Sequence, residues 1–96
     1  EAIAQFDEVL KRDPDNLRAR IALGETFLRE GDLDKAQAHL ERAARINGGI
    51  ARVYNSLAEI YLKRGRRQEA ARAFQKSLAL EPGQKAVRQR LATLGG

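Results

Sequence analysis

The 96-residue sequence contains no cysteine, no methionine and no tryptophan, and only two prolines. Without cysteine, the chain has no disulfide, no thiolate metal site and no cysteine nucleophile. No apolar run approaches the roughly 18 residues that a membrane-spanning helix needs. No basic segment followed by an apolar stretch resembles a signal peptide. The sequence therefore indicates a soluble protein without membrane insertion; it leaves the compartment open, and we favour the cytoplasm over the periplasm.

Side chains that could carry catalysis are also scarce. The single histidine, His39, has no cysteine or second histidine with which to share a metal, so it is predicted to be a partly exposed surface residue. The pairs Asp13 with Asp15 and Asp32 with Asp34 lie at helix ends with no nucleophile or metal ligand beside them. No glycine-rich phosphate loop is present. We therefore expect a protein that is not an enzyme, with no cofactor and no metal.

The residues that are abundant recur with a period of 34 and without any insertion. Three sets of positions show this spacing: Leu23, Leu57 and Leu91; Ala2, Ala36 and Ala70; and Phe6, Leu40 and Phe74. Within each period, successive apolar residues are separated by intervals of three or four residues, which is the spacing of an amphipathic helix. A gapless period of this length predicts an all-α solenoid of antiparallel helix pairs.

The turn residues divide this pattern into six helices. They are predicted over residues 1–12, 17–30, 33–46, 51–64, 67–80 and 85–94. Asp32 is placed to cap the third helix through its carboxylate. At Asn47-Gly48-Gly49 a glycine is expected to end the same helix in the left-handed conformation.

The second full period carries the pattern that identifies the family. It has an aromatic, a leucine with a small residue and an aromatic on its first helix, then alanine, an aromatic and proline on its second: Tyr54, Leu57, Ala58, Tyr61, Ala70, Phe74 and Pro82. This pattern resembles the tetratricopeptide repeat family. The preceding period matches less well, with Arg20 in place of an aromatic, Leu40 in place of the second-helix aromatic and Gly48 in place of proline.

The resemblance covers essentially the whole chain and implies a right-handed superhelix. It divides the chain into the second helix of an incomplete repeat (1–16), two full repeats (17–50 and 51–84), and a C-terminal capping helix or the start of a further repeat (85–96). The sequence starts within a repeat and lacks methionine. We therefore expect it to be a fragment of a larger tetratricopeptide-repeat protein.

The resemblance also implies a binding surface, because in this family the first helices of the pairs line a concave groove that holds peptides. Carried over position by position, that groove face consists of Arg18, Ile21, Ala22, Glu25, Leu28, Arg29, Arg52, Asn55, Ser56, Glu59, Leu62, Lys63 and Arg90. The arginines could bind a carboxylate or phosphate, and the leucines could contact apolar side chains between them. Alternatively, pairs such as Glu59 with Lys63 are four apart and merely support the helix by about 0.2–0.5 kcal/mol.

A more specific family function, the clamp for a C-terminal carboxylate found in chaperone-binding members, is not expected. Glu25 stands where an amide would be needed and would repel a carboxylate, and Asn55 is one residue out of phase. The groove face therefore does not reproduce the residue set of that clamp.

Charge is distributed unevenly along the chain, whose formal net charge is +5. Residues 1–48 hold 8 basic and 10 acidic side chains, whereas residues 49–96 hold 10 basic and 3 acidic ones. We predict a protein-interaction scaffold that binds a peptide or partner domain, with an acidic partner favoured by this charge. Two alternatives remain: a homo-oligomer formed through exposed terminal helices, and nucleic-acid binding by the basic half, which Glu25 and Glu59 disfavour.

Overall fold

The structure, a computed structural model, describes residues 2–95. This part of the chain contains no β-strand and forms six helices: α1 (Ala2–Arg12), α2 (Leu17–Glu30), α3 (Leu33–Ile46), α4 (Ala51–Lys63), α5 (Arg67–Leu80) and α6 (Lys85–Thr93). The predicted boundaries are right to within one residue among the residues described. The fourth and sixth helices each end one residue earlier than predicted, because Arg64 and Leu94 are the caps rather than the last helical residues.

The helices form two compact units, unit 1 (Glu1–Gly48) and unit 2 (Gly49–Gly96). In unit 1, the helices α2 and α3 pack through small residues. A Cβ on Gly24 would lie 2.8 Å from Cδ2 and 3.1 Å from Cδ1 of Leu40, and closer still to its Cγ. Glycine is therefore what allows α2 to approach α3 at this point. Helix α1 packs on α2 but has no buried residue of its own.

Local hydrogen bonds explain where α2 ends and where α3 begins. Gly31 has a φ of 84°, the left-handed conformation that glycine adopts without strain, and its N–H donates to Leu28 O at 3.1 Å. Asp32 Oδ1 then accepts a hydrogen bond from the Lys35 N–H at 3.2 Å, which confirms the predicted cap. Only two residues separate the helices, so the second helix folds straight back on the first.

The predicted left-handed glycine at the end of α3 is wrong. Asn47 ends this helix with an extended φ of −148°, and its N–H donates to Ala43 O at 2.9 Å. Among residues 2–95, positive φ occurs only at Gly31, Gly65 and Gly95. The chain therefore leaves α3 in extended conformation, which needs no left-handed residue.

In unit 2, α4 buries large side chains, among them Val53, Tyr54, Leu57 and Ile60, and a cluster of Ala58, Ala70, Ala73 and Phe74 joins α4 to α5 in the core. Helix α6 has no fully buried residue; its half-buried side chains Val87 and Leu91, with its C-cap residue Leu94, pack on this cluster. None of the helices in residues 2–95 has the length and apolar character that crossing a bilayer requires.

Candidate functional site

The six groove residues predicted in unit 1 all lie on α2, and none of them is buried. Arg18 and Arg29 are exposed, whereas Ile21, Ala22, Glu25 and Leu28 are partly exposed. Arg29 Nη2 donates to Thr26 Oγ1 at 3.4 Å, and that hydroxyl donates to Ala22 O at 2.8 Å. The predicted face of α2 is thus accessible, with one of its two arginines oriented by a neighbour on the same helix.

In unit 2, five of the predicted residues line one cavity of about 210 Å³, here called the α4–α6 cavity. Arg52, Asn55, Ser56 and Glu59 come from α4, and Arg90 comes from α6. The other two predicted residues do not belong to it. Leu62 packs against the core of unit 2, and Lys63 is exposed at the end of α4.

The apolar wall of the α4–α6 cavity is made by Phe74, Ala86 and Val87, which the sequence analysis did not assign to a site. Phe74 is the aromatic residue on the second helix of the repeat, a position that is normally buried. It is indeed 2% exposed, yet one part of it faces the cavity. An apolar wall with a few polar groups at the edge is the usual composition of a binding pocket.

Arg90 closes one side of this cavity. Its Nη1 lies 2.6 Å from Glu59 Oε1, and its guanidinium carbon lies 5.5 Å from the centroid of the Phe74 ring. The two charged side chains are 48% and 37% exposed, so the ion pair is screened by water and contributes at most about 1 kcal/mol to stability. Its role is geometric: it fixes a cation over the apolar wall of the cavity.

A relay of amide groups fixes the orientation of Asn55 in the same cavity. Gln84 Nε2 donates to the backbone oxygens of Glu81 at 2.9 Å and Ser77 at 3.2 Å, so this end of the Gln84 amide must be its NH2 group. Gln84 Oε1 therefore accepts from Asn55 Nδ2, at 2.8 Å. Asn55 Oδ1 is buried and accepts no hydrogen bond from the described residues.

Sequence reasoning missed Gln84 because nothing in the repeat pattern selects it. It lies directly after Pro82-Gly83, at the N-cap of α6, and its Nε2 also lies 2.9 Å from Ser77 Oγ, so one of its two N–H groups is shared between two acceptors. Ser77 is fully buried and polar, which is a signal that a hydrogen-bond partner is needed. The sequence does not say that the partner is Gln84.

His39 belongs to a stack in unit 1. Its ring lies parallel to that of Phe27, with 5.7 Å between centroids, and Arg20 Nη1 lies 3.2 Å from His39 Nδ1. Burial lowers the pKa of His39, Arg20 and Lys35 lower it further, and Asp7 raises it in part. Because Arg20 is a donor, Nδ1 accepts its hydrogen bond and the imidazole proton resides on Nε2. Within residues 2–95, no group of three or more histidine, cysteine, aspartate or glutamate side chains could hold a metal ion.

Two antiparallel helix pairs repeated at 34 residues define an all-α helical-repeat protein. A family model described as "Tetratricopeptide repeat" matches residues 1–60, and a second model with the same description matches residues 51–84. The chain belongs to the tetratricopeptide repeat family.

Known proteins show the same fold over nearly the whole chain. Cellulose synthase operon protein C of Pseudomonas fluorescens (strain SBW25) is 29% identical over 89 residues, which are 93% of this chain and 7% of that protein. The crystal structure of MamA matches with a TM-score of 0.90 and 25% identity, covering 96% of this chain and 54% of that one. The first TPR of Spaghetti (RPAP3), bound to the HSP90 peptide SRMEEVD, matches with a TM-score of 0.90 and 17% identity. The match covers 97% of this chain and 74% of that one. This chain thus spans only a small part of the length of the cellulose synthase operon protein.

Proposed function

We propose that this chain is a non-catalytic interaction module and that it holds a peptide or a partner domain at the predicted groove face of unit 2, on α4 and α6. One observation carries the proposal: five of the residues that the family resemblance assigns to the groove line a single cavity with an apolar wall. A cavity of about 210 Å³ has room for one side chain rather than for a whole small molecule of typical size, whose pockets run from about 300 to 1,000 Å³.

The composition of the α4–α6 cavity favours a particular kind of peptide. Phe74, Ala86 and Val87 offer apolar surface to one apolar side chain, whereas the edge carries two guanidinium groups and one carboxylate. The excess of positive charge at this edge and in residues 49–96 attracts acidic segments. A fold relative, the first TPR of Spaghetti, binds a peptide that contains three acidic residues, SRMEEVD.

Selection from a randomised peptide display library tests the proposal. The peptide that is enriched most is labelled, and its affinity is measured by fluorescence anisotropy for the parent and for Arg52→Ala with Asn55→Ala. We expect the double variant to bind at least about tenfold more weakly, a loss of about 1.4 kcal/mol. The matched control is Arg88→Ala with Gln89→Ala, two exposed residues of α6 outside the cavity.

Retention of helicity, measured by circular dichroism, is the second control, because Asn55 also holds Gln84. The proposal fails if no peptide is enriched, or if the double variant is folded and binds as tightly as the control.

Self-association is a second candidate, favoured by the apolar surface of unit 1. Helix α1 has no buried residue, Val9 on it is 36% exposed, and Ile3, Phe6 and Leu10 are only half-buried. Exposed apolar groups of this kind can pair two copies of a chain. Sedimentation equilibrium over a wide concentration range tests this candidate. A constant monomer mass would rule it out.

A further inference from the structure

The two units contain the same helix pair, and one of the positions at which they differ carries an aromatic ring in unit 1. Helices α2 and α3 correspond to α4 and α5 at a separation of 34 residues, which pairs His39 with Ala73 and Phe27 with Tyr61. In unit 1 the imidazole of His39 stacks on Phe27 with an angle of 5° between the rings. In unit 2 the residue at that position offers only a methyl group.

A cleft of about 260 Å³ lies beside Ala73 in unit 2, here called the α4–α5 cleft. Its lining consists of Tyr54, Leu57, Tyr61, Glu69, Arg72, Ala73 and Lys76. Leu57 and Ala73 are 5% and 8% exposed, so they form the floor. An engineered apolar cavity of about 150 Å³ binds benzene, so the cleft has room for an aromatic ring. At the equivalent sequence positions, unit 1 has the His39 ring beside Arg20, whereas unit 2 has Ala73 and Tyr54, both of which line the cleft.

The charges around the cleft restrict what can enter it. Arg72 and Lys76 lie one turn apart on α5, and Lys76 Nζ lies 5.3 Å from the centroid of the Tyr54 ring. The one carboxylate, Glu69, lies 3.8 Å from Arg66 Nε. This excess of positive charge disfavours a protonated histidine or a lysine. It is complementary to the electron-rich face of a neutral aromatic ring and to a carboxylate beside it.

We propose that the α4–α5 cleft is a second binding site, separate from the α4–α6 cavity, and that it takes a phenylalanine or tyrosine side chain from an acidic segment of a partner protein. The ring stacks on Tyr61 as His39 stacks on Phe27, and Arg72 and Lys76 pair with a carboxylate next to the ring. No residue lining the α4–α6 cavity lines this cleft, so the two sites can be tested separately.

The probe is the dipeptide N-acetyl-Asp-Phe-amide, titrated into the full 96-residue chain and followed by two-dimensional amide NMR. We expect saturable shift changes concentrated at Leu57, Tyr61 and Ala73. N-acetyl-Asp-Leu-amide, which keeps the carboxylate but has no ring, should bind about fivefold more weakly, since it loses the stacking and the cation–π contacts. Arg52→Ala with Asn55→Ala should leave the shift changes at Leu57, Tyr61 and Ala73 unchanged, because none of these three residues lines the α4–α6 cavity.

Two variants decide whether the cleft is the site. Ala73→His gives unit 2 the residue that unit 1 has at the equivalent sequence position, and should weaken binding of N-acetyl-Asp-Phe-amide at least about tenfold. Ala79→His is the matched control, since it adds the same side chain to an exposed position of α5. Arg72→Ala keeps the cleft open and should weaken the binding of N-acetyl-Asp-Phe-amide about threefold or more. Its effect on the binding of N-acetyl-Phe-amide should be smaller, because this probe has no carboxylate.

The proposal is overturned if the parent shows no saturable shifts, or if Ala73→His binds the probe as the parent does. If Ala73→His fails to fold, Arg72→Ala decides: equal affinity for the acidic dipeptide in this variant and the parent overturns the proposal. Loss of library-peptide binding in the Arg52→Ala, Asn55→Ala variant, with dipeptide binding retained, would support both sites independently.

Discussion

The packing of α2 against α3 predicts that Gly24→Ala destabilises unit 1, although alanine is the better helix former. The added Cβ would lie 2.8 Å from Cδ2 and 3.1 Å from Cδ1 of Leu40. Carbon atoms in contact are normally about 3.5–4.0 Å apart. Leu40 is 0% exposed, so its side chain cannot turn out into solvent. The clash must therefore be relieved inside the packed interface, by a shift of Leu40 or of the two helices.

The expected size of the effect follows from two opposing terms. Overpacking a dense core costs about 1–3 kcal/mol, whereas replacing glycine by alanine within a helix gains about 1 kcal/mol. Because three carbons of a fully buried leucine are approached closely, the cost should fall in the upper part of its range. We expect a net loss of about 1–2 kcal/mol in the free energy of unfolding.

Urea unfolding followed by circular dichroism measures this loss. Gly83→Ala is the matched control, because no heavy atom lies within 4 Å of its added Cβ and its φ is not positive. It should change stability by no more than about 0.5 kcal/mol. Gly24→Ala together with Leu40→Phe, which reproduces the pair Ala58 and Phe74 of unit 2, should recover part of the loss. A Gly24→Ala protein as stable as the parent would refute the reasoning, since Leu40 would then relax without cost.

Three further predictions concern His39, Gln84 and the two helix pairs. The pKa of His39 is below its ordinary value of 6.5, so the unfolded chain binds the proton more readily than the folded chain, and stability should fall as the pH drops below 6.5. The urea midpoints at about pH 7.5 and pH 5.5 should therefore differ more for the parent than for His39→Ala. Equal differences in the two proteins would refute this prediction. Gln84→Ala removes the partner of Asn55 Nδ2 and the donor to Ser77 O. In a urea titration it should lower the free energy of unfolding by about 1–3 kcal/mol. The control Gln89→Ala, at an exposed site, should leave the free energy of unfolding unchanged. Amide hydrogen exchange should be slowest in α4 and α5, because α4 buries six residues against three in α2; slower exchange in α2 or α3 would contradict this.

The sequence predicts the helices well because the signals that begin and end them are local. Gly31 and Asp32 stop one helix and cap the next, and the structure has both at the predicted places. The end of α3 could not be predicted in the same way. Two adjacent glycines suggest a left-handed ending, but the helix already closes through the extended residue Asn47. Glycine permits a left-handed conformation and does not require it.

The polar half of the candidate site could be proposed from the sequence because the family resemblance assigns one face of the first helix of each pair to the groove. Four residues on one face of α4 line one cavity: Arg52, Asn55, Ser56 and Glu59. The remaining parts depend on contacts between separate helices. Whether Arg90 pairs with Glu59, or Gln84 with Asn55, is decided by the placement of α6, about which the period of 34 residues carries no information.

Positions at which the two units differ are therefore more informative about binding than those at which they agree. Leu23 and Leu57 agree because both must be buried for a pair of helices to pack. Ile21 corresponds to Asn55, and Ile50 to Gln84, so only unit 2 contains the amide relay. His39 corresponds to Ala73, so only unit 1 has a ring stacked at that place. Unit 2 therefore has an amide relay at the first place and a cleft beside Ala73 at the second. A requirement for two distinct side-chain sites in unit 2 would explain both sets of substitutions together.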